Sequence, residues 1–456
     1  MNISYRKITI TEENYNDYNL TDLVAISIAA GGAMGDPGAI EFITSQGRYF
    51  YANPVYENIT LEQVNFACPL LSEIQLGIFG CIEKPKGWEY IYLGYGNHLL
   101  INDSIYIPFQ LGTKQKQEQI KQSLLYNNWK NIVEECIDGT VYKNERIDKL
   151  KGVIYGQAIG DALGLATEFM DDIEMAQKYP NGVNDYSDIY QDAHRRIWKV
   201  GEWTDDTDMM LCIANAVIED KGVNLTHIAQ NFKAWADCEP LGIGNNTYKV
   251  LSFGDYVDKP FDAAKLVWEM SKKQSAANGG LMRTSVVGLF PKAVEQCAVD
   301  ICRLTHYDPR CVGSCVIVSS LIHSLVYDFE PLAYHQILDI ANKYDERIGE
   351  YVDLSLNSDI RALELQDGSS MGYTLKTLAA SLWAYWNASS FEEGLLAVVN
   401  AGGDADTNAA VACAILGAKF GFESIPKEFV DGLIHRDVLD KVVERMKGVV
   451  DVVIKG

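Results

Sequence analysis

The seven residues Glu202-Trp-Thr-Asp-Asp-Thr-Asp208 crowd acids and threonines directly ahead of an apolar run, Met209 to Ile218. Only Asn215 interrupts that run, so the helix it forms is apolar nearly all round and belongs in an interior. A second arrangement of the same kind lies far downstream. There Gly402-Gly-Asp-Ala-Asp-Thr407 leads into Asn408 to Ala418, again almost wholly apolar. Thr or Asp is a good cap for a helix start, and the helix dipole favours one carboxylate there. Capping with solvated neighbours accounts for either cluster only in part. Like charges such as Asp205, Asp206 and Asp208, held together where the dielectric is low, repel strongly. If the two mouths meet, Thr204, Asp205, Asp206, Asp404, Asp406 and Thr407 offer only hard oxygen donors. That donor set suits Mg²⁺ or Mn²⁺. The absence of His and Cys from both clusters disfavours zinc. The acids outnumber the needs of one cation, so two ions are expected.

The elements that must position these acids are helical. From Asp148 onward the apolar spacing is mostly that of helices, with Ala-rich segments and no obvious linker, which predicts one large all-α domain over 146–456. Gly152, Gly156, Gly160 and Gly164 stand four apart on one stripe, and such poor helix formers on one face predict close backbone approach by another helix. Residues 1–145 read differently. Short β-branched and aromatic runs at Leu23–Ile28, Arg48–Tyr51, Glu89–Leu93 and Ile105–Phe109 predict strands, and Gln115–Ile137 predicts a helix. The architecture expected is therefore multidomain, a small α+β domain preceding the all-α one. The glycine-rich Ala30–Gly38 phrase reads as a flexible turn.

The chain has 456 residues, 39 Lys plus Arg against 62 Asp plus Glu, and a net charge of −23. Such a surface repels phosphate backbones and anionic lipid, so no strong nucleic-acid or membrane signal is present. The longest apolar stretch, Val312–Tyr327, is punctuated by Ser and His and predicts a buried helix rather than a bilayer span. Ten cysteines without a C-x-x-C pair predict reduced thiols and a cytoplasmic location.

Five segments occur in an order that carries a family resemblance. They are Gly160-Asp-Ala-Leu-Gly-Leu-Ala-Thr-Glu168, Trp203-Thr-Asp-Asp-Thr207, Asn278-Gly-Gly-Leu-Met-Arg283, Thr305-His-Tyr-Asp-Pro309 and Gly402-Gly-Asp-Ala-Asp-Thr407. The chain from about Gly152 onward resembles the ADP-ribosylglycohydrolase family, in pattern its dinitrogenase reductase-activating members. The resemblance implies an all-α domain holding two Mg²⁺ or Mn²⁺ ions in a cleft where ADP-ribose is cut from a modified side chain. It implies metal ligands at Thr204, Asp205, Asp206, Asp404, Asp406 and Thr407, and a catalytic carboxylate at Glu168. It further implies substrate contacts from Asn278, Gly279, Gly280, Met282 and Arg283, with His306 and Tyr373 near the ligand, the Tyr against the adenosine half. The backbone N–H groups of the 278–281 loop would donate to the diphosphate and Arg283 would pair with it. Many relatives carry an acid in a Pro-x-Asp-Ile-Gly segment, where this chain has Gly242.

The activity implied is hydrolysis of the C1″ glycosidic bond of an ADP-ribosylated protein, arginine being the first acceptor considered, with Glu168 as general acid or base. A competing expectation is a binding or immunity module. It would block an ADP-ribosyltransferase toxin, or hold ADP-ribosylated partners, through residues 1–145.

Overall fold

The computed structural model describes residues 140–328 and 331–450 and, earlier in the chain, 8–21, 23–30, 37–44, 49–54, 59–73, 75–76, 82–83, 89–94 and 97–101. Backbone packing divides the chain into two units, Met1–Asn144 and Glu145–Gly456. In the first, strands β1 (Ile8–Ile10), β2 (Leu23–Ala30), β3 (Pro37–Thr44) and β4 (Tyr49–Ala52) are followed by a helix at Leu61–Ala67. Then come β5 (Gln75–Leu76), β6 (Ile82–Glu83), β7 (Glu89–Gly94) and β8 (Asn97–Ile101). Six of them form one sheet in the order β1-β4-β3-β2-β8-β7, parallel only between β1 and β4. Alternate residues Ile26, Ile40, Phe42 and Phe50 face a small core with Val64 and Ala67 of the helix. Three strands fall where alternation places them. The expected strand at 105–109 and helix at 115–137 lie outside the described residues, as do 31–36 of the glycine-rich phrase.

The second unit is helical throughout. Its centre is a pair of helices, Thr140–Gly164 and Ala405–Phe420. A Cβ added at Gly152, Gly156, Gly160 or Gly164 would fall inside 3.0 Å of the backbone at Gly417, Cys413, Ala409 and Asp406 respectively. The partner numbers fall as the glycine numbers rise, so the helices run antiparallel with their backbones in contact. The glycine stripe is thus a close-approach surface, and it delivers the C-terminal turn of one helix to the acidic mouth of the other. The Asp205–Asp220 helix buries Met209, Met210, Ile213, Ala214 and Val217 in the same core.

The Pro309–Tyr327 segment is long and apolar enough to cross a membrane, but 89% of its most apolar 18 residues are buried inside the protein. It is the interior helix its interrupted apolar run predicts. Cys311 and Cys315, one turn apart on it, are both buried free thiols.

Candidate metal centre and active site

Two helix mouths meet at one floor. Thr204 caps the Asp205–Asp220 helix, its side chain accepting from the Asp206 N–H. Asp404 precedes the Ala405–Phe420 helix yet makes no capping hydrogen bond. Capping therefore leaves most of these acids unexplained. Thr407 Oγ1 donates to Asp206 Oδ2 at 3.3 Å, joining residues 201 positions apart. Oxygen atoms of Asp161, Asp206 and Asp406 lie within 4.8 Å of one another, and so do those of Glu168, Asp404 and Asp406. Asp406 belongs to both groups.

The electrostatics of this floor are unfavourable as it stands. Burial first, and neighbouring acids second, push the Asp206 and Asp406 carboxyls far above their ordinary range. Burial likewise raises Asp205 and Asp404 to about 6. Asp206 Oδ1 and Asp406 Oδ1 are buried with no hydrogen-bond partner among the described residues. Buried carboxylate oxygens without donors are costly, and a divalent cation is the partner that satisfies several at once. The donor set fits a hard cation.

Surrounding residues hold the acids still. Asp161 Oδ1 accepts from the Thr204 N–H at 3.0 Å, and its Oδ2 accepts from the Thr207 N–H and hydroxyl at 3.0 and 2.6 Å. Gln157 donates to Asp206 O and Met282 O at 3.0 and 2.9 Å, tying the first mouth to the 278–283 segment. Asn278 Nδ2 donates to Asp404 Oδ2 at 2.6 Å and to Thr377 Oγ1 at 2.9 Å. Gly402 and Gly403 enter the second mouth at φ 67° and 72°, and a Cβ on Gly403 would strike the Leu365 carbonyl. Asp208, the remaining acid of the first cluster, faces away from the floor's acids and accepts from the Trp203 and Trp235 indoles at 2.9 and 3.1 Å.

Above this floor opens a cleft of about 1180 Å³. Glu168, Thr204, Asp205, Asp404, Asp406 and Thr407 line it, as do Asn278, Gly279, Met282 and His306. Asp206 sits just beneath, 1% exposed. Burial lowers the His306 imidazole well below its usual range. Its Nε2 is buried without a partner among the described residues, while its Nδ1 is 2.8 Å from Thr305 Oγ1.

Four expected contacts are placed elsewhere. Arg283 is fully buried, donating to Gly279 O at 2.9 Å, Thr305 Oγ1 at 2.6 Å and Ile301 O at 3.3 Å, with its guanidinium over the Phe232 ring. Its pairing with a diphosphate is therefore corrected: the Gly279 carbonyl of the loop itself, the Ile301 carbonyl in the last turn of the Val294–Arg303 helix and the Thr305 hydroxyl hold this cation beneath the loop. Gly280 packs under the same loop against Cys302 and His306. Tyr373 does not line the cleft, and its hydroxyl is 3.2 Å from Arg310 Nη1. The Asn278 N–H donates to Gly372 O at 2.9 Å, which removes one expected diphosphate donor.

Three further residues belong to the site although their sequence context did not assign them to it. Asp161 is the acid inside the glycine-stripe helix, and an ionisable residue within an apolar run was its available signal. His194 Nε2 lies 2.7 Å from Glu168 Oε2. That hydrogen bond to the Glu168 carboxylate holds the imidazole above its ordinary range. Lys249 is the lone Lys or Arg among the described residues lining the cleft.

The family model for ADP-ribosylglycohydrolase matches residues 142–454. The chain belongs to the ADP-ribosylglycohydrolase family. It is 26% identical over 325 residues to the ADP-ribosylarginine hydrolase Tri1 of Serratia proteamaculans, covering 67% of this chain and 80% of that protein. It is 26% identical over 309 residues to the ADP-ribosyl-[dinitrogen reductase] glycohydrolase of Rhodospirillum rubrum, covering 65% of this chain and 94% of that one. A solved ADP-ribosylglycohydrolase-related protein complex shares the fold with a TM-score of 0.54 at 24% identity, over 67% of this chain and 99% of its own. In this chain, residues between Glu168 and Thr407 assemble one acidic cleft.

Proposed function

We propose that this chain is a metal-dependent hydrolase that cleaves the C1″ glycosidic bond of ADP-ribose attached to a protein side chain, arginine first among acceptors. One observation carries the reading: two carboxylate clusters that share Asp406, with buried oxygens of Asp206 and Asp406 that lack donors among the described residues. The relatives named as acting on ADP-ribosylarginine and on ADP-ribosyl-dinitrogen reductase support the acceptor.

Asp161, Asp206 and Asp406 would hold one Mg²⁺ or Mn²⁺, and Asp404 and Asp406 a second beside Glu168, with Thr204, Asp205 and Thr407 at their margins. When bound, these ions supply positive charge and Lewis acidity toward ribose hydroxyls and water. Breaking C1″–N moves the bonding pair to the leaving nitrogen and leaves positive charge on the sugar carbon. Acidic groups around the floor favour that developing charge. Water adds its oxygen to C1″, and its two protons end one on the new hydroxyl and one on the leaving nitrogen. Glu168 is the carboxylate placed to move such a proton, a role worth about 10²–10⁴ in rate. His194 holds that carboxylate in one orientation. Gly242 contributes no acid at its own position.

The test is release of ADP-ribose from arginine-, serine- and nucleobase-linked substrates with Mg²⁺ or Mn²⁺. Release from the arginine substrate, abolished by EDTA and by Glu168→Gln, is expected. Tight partner binding without turnover on any acceptor would replace the hydrolase with a binding module.

A further inference from the structure

Phe169 follows Glu168 directly and holds a left-handed backbone, φ 60°, which a bulky L residue adopts only when its surroundings force it. Those surroundings are elaborate. The Phe169 N–H donates to Gly403 O at 2.6 Å, and the Gly403 N–H donates to Met170 O at 3.1 Å. Arg195 grips the same turn, donating to Leu165 O at 2.7 Å, to Ala166 O at 2.8 Å and to Glu168 O. Burial is not the object of this construction, because the Phe169 side chain ends up 53% exposed, in the cleft.

The ring is part of a wall. The His194 ring centre lies 5.6 Å from that of Phe169 and 5.4 Å from that of Trp198. Beyond Trp198 the wall stays open because residue 242 is glycine. A Cβ there would stand 3.3 Å from Trp198 Cζ2 and 3.5 Å from Asp205 Oδ1. The wall and the 278–283 segment both line the cleft, and they rest on different neighbours. Gly279 meets His306 and Thr247, whereas the Phe169 and Trp198 rings flank His194, whose Nε2 lies 2.7 Å from Glu168 Oε2.

We propose that this aromatic wall is the acceptor subsite, with Phe169 as the exposed face on which the planar guanidinium of a modified arginine lies. The proposal rests on the hydrolase reading above and says where the second product sits. A planar cation is attracted both by aromatic faces and by the acids of the floor. A chain of net charge −23 disfavours a nucleic-acid backbone beside the same wall. The strained backbone at Phe169 is maintained for placement of its ring, as strain at functional sites commonly is.

The variants Phe169→Gly and Phe169→Tyr test this in the full chain with bound Mn²⁺. Phe169→Gly removes the ring and relieves the left-handed strain. It is expected to raise the melting temperature and to raise KM for an ADP-ribosylated arginine peptide about tenfold. Its affinity for free ADP-ribose by calorimetry should stay within about twofold of the parent, because that product occupies the other part of the cleft. Phe169→Tyr should restore KM. The subsite is overturned if Phe169→Gly leaves KM unchanged, if it weakens ADP-ribose binding equally, or if serine- and arginine-linked substrates suffer alike. It is also overturned if the parent prefers a nucleobase-linked substrate. A parent that binds ADP-ribose but releases it from no acceptor removes the hydrolase reading itself, an outcome distinct from these.

Discussion

Replacing Asp406 with Asn should stabilise the metal-free protein. The shared position of Asp406 sets the size of the effect. Its oxygen lies within 4.8 Å of acids in both clusters, and two unit charges at that distance repel by about 3–4 kcal/mol at an effective dielectric near 20. Without a cation the native state relieves this by protonating. Holding one carboxyl neutral at pH 7, when it ionises near 3.8 in the unfolded chain, costs at most about 4 kcal/mol. The two figures are of one order, and Asn is close in shape to the protonated acid. The sign follows from linkage. The native state binds more protons than the unfolded one above pH 3.8, so stability of the metal-free parent falls as pH rises from there. Asp406→Asn should therefore match the parent near pH 4 and exceed it by up to about 4 kcal/mol at pH 7. Urea unfolding in EDTA at both pH values measures this. In saturating Mn²⁺ the gap should close or reverse, since a ligand at 100 times its Kd stabilises the parent by about 2.7 kcal/mol for each ion bound. An Asn variant less stable than the parent in EDTA at pH 7 would defeat this prediction, because it would mean Asp406 makes favourable contacts without a cation.

The other predictions separate the roles of neighbouring residues. Asp208→Ala leaves the Trp203 and Trp235 indoles without their acceptor and should cost about 1–3 kcal/mol in urea unfolding while preserving the Mn²⁺-induced rise in melting temperature. Gly156→Ala drives a methyl into the Cys413 backbone and should destabilise by at least about 1–3 kcal/mol, with the Mn²⁺ response weakened because the helix pair that aligns the acids is forced apart. Lys249→Glu should weaken ADP-ribose binding several-fold at low salt and less at high salt, with kcat unchanged, as calorimetry and steady-state kinetics would report.

What the residues disclosed, and what they hid, has a physical pattern. The acids at both mouths were legible because repelling charges ahead of apolar helices violate ordinary placement and demand a partner. The glycine stripe was legible because only a close neighbour justifies poor helix formers on one face, and the Ala405–Phe420 backbone is that neighbour. Arg283 misled because a motif gives its place in the chain and not its direction. Besides Gly279 O, four residues back in its own segment, its acceptors are Ile301 O and the Thr305 hydroxyl, about twenty residues on and brought round by packing that no local spacing encodes. Asp208 looked like a third acid of the cluster, and its indole partners emerge only once the helices pack. His194 carried no signal at all. Its meaning arises from the turn that brings it 2.7 Å from Glu168, 26 residues away.

Divalent ions resting between the two helix mouths are what the whole reading of this cleft requires. An anomalous difference map from crystals grown in Mn²⁺ looks for them at their expected positions. It should show one peak among Asp161, Asp206 and Asp406 and another beside Asp404 and Glu168, both absent in Asp406→Asn. A map at saturating Mn²⁺ with no peak at either place would rule the ions out.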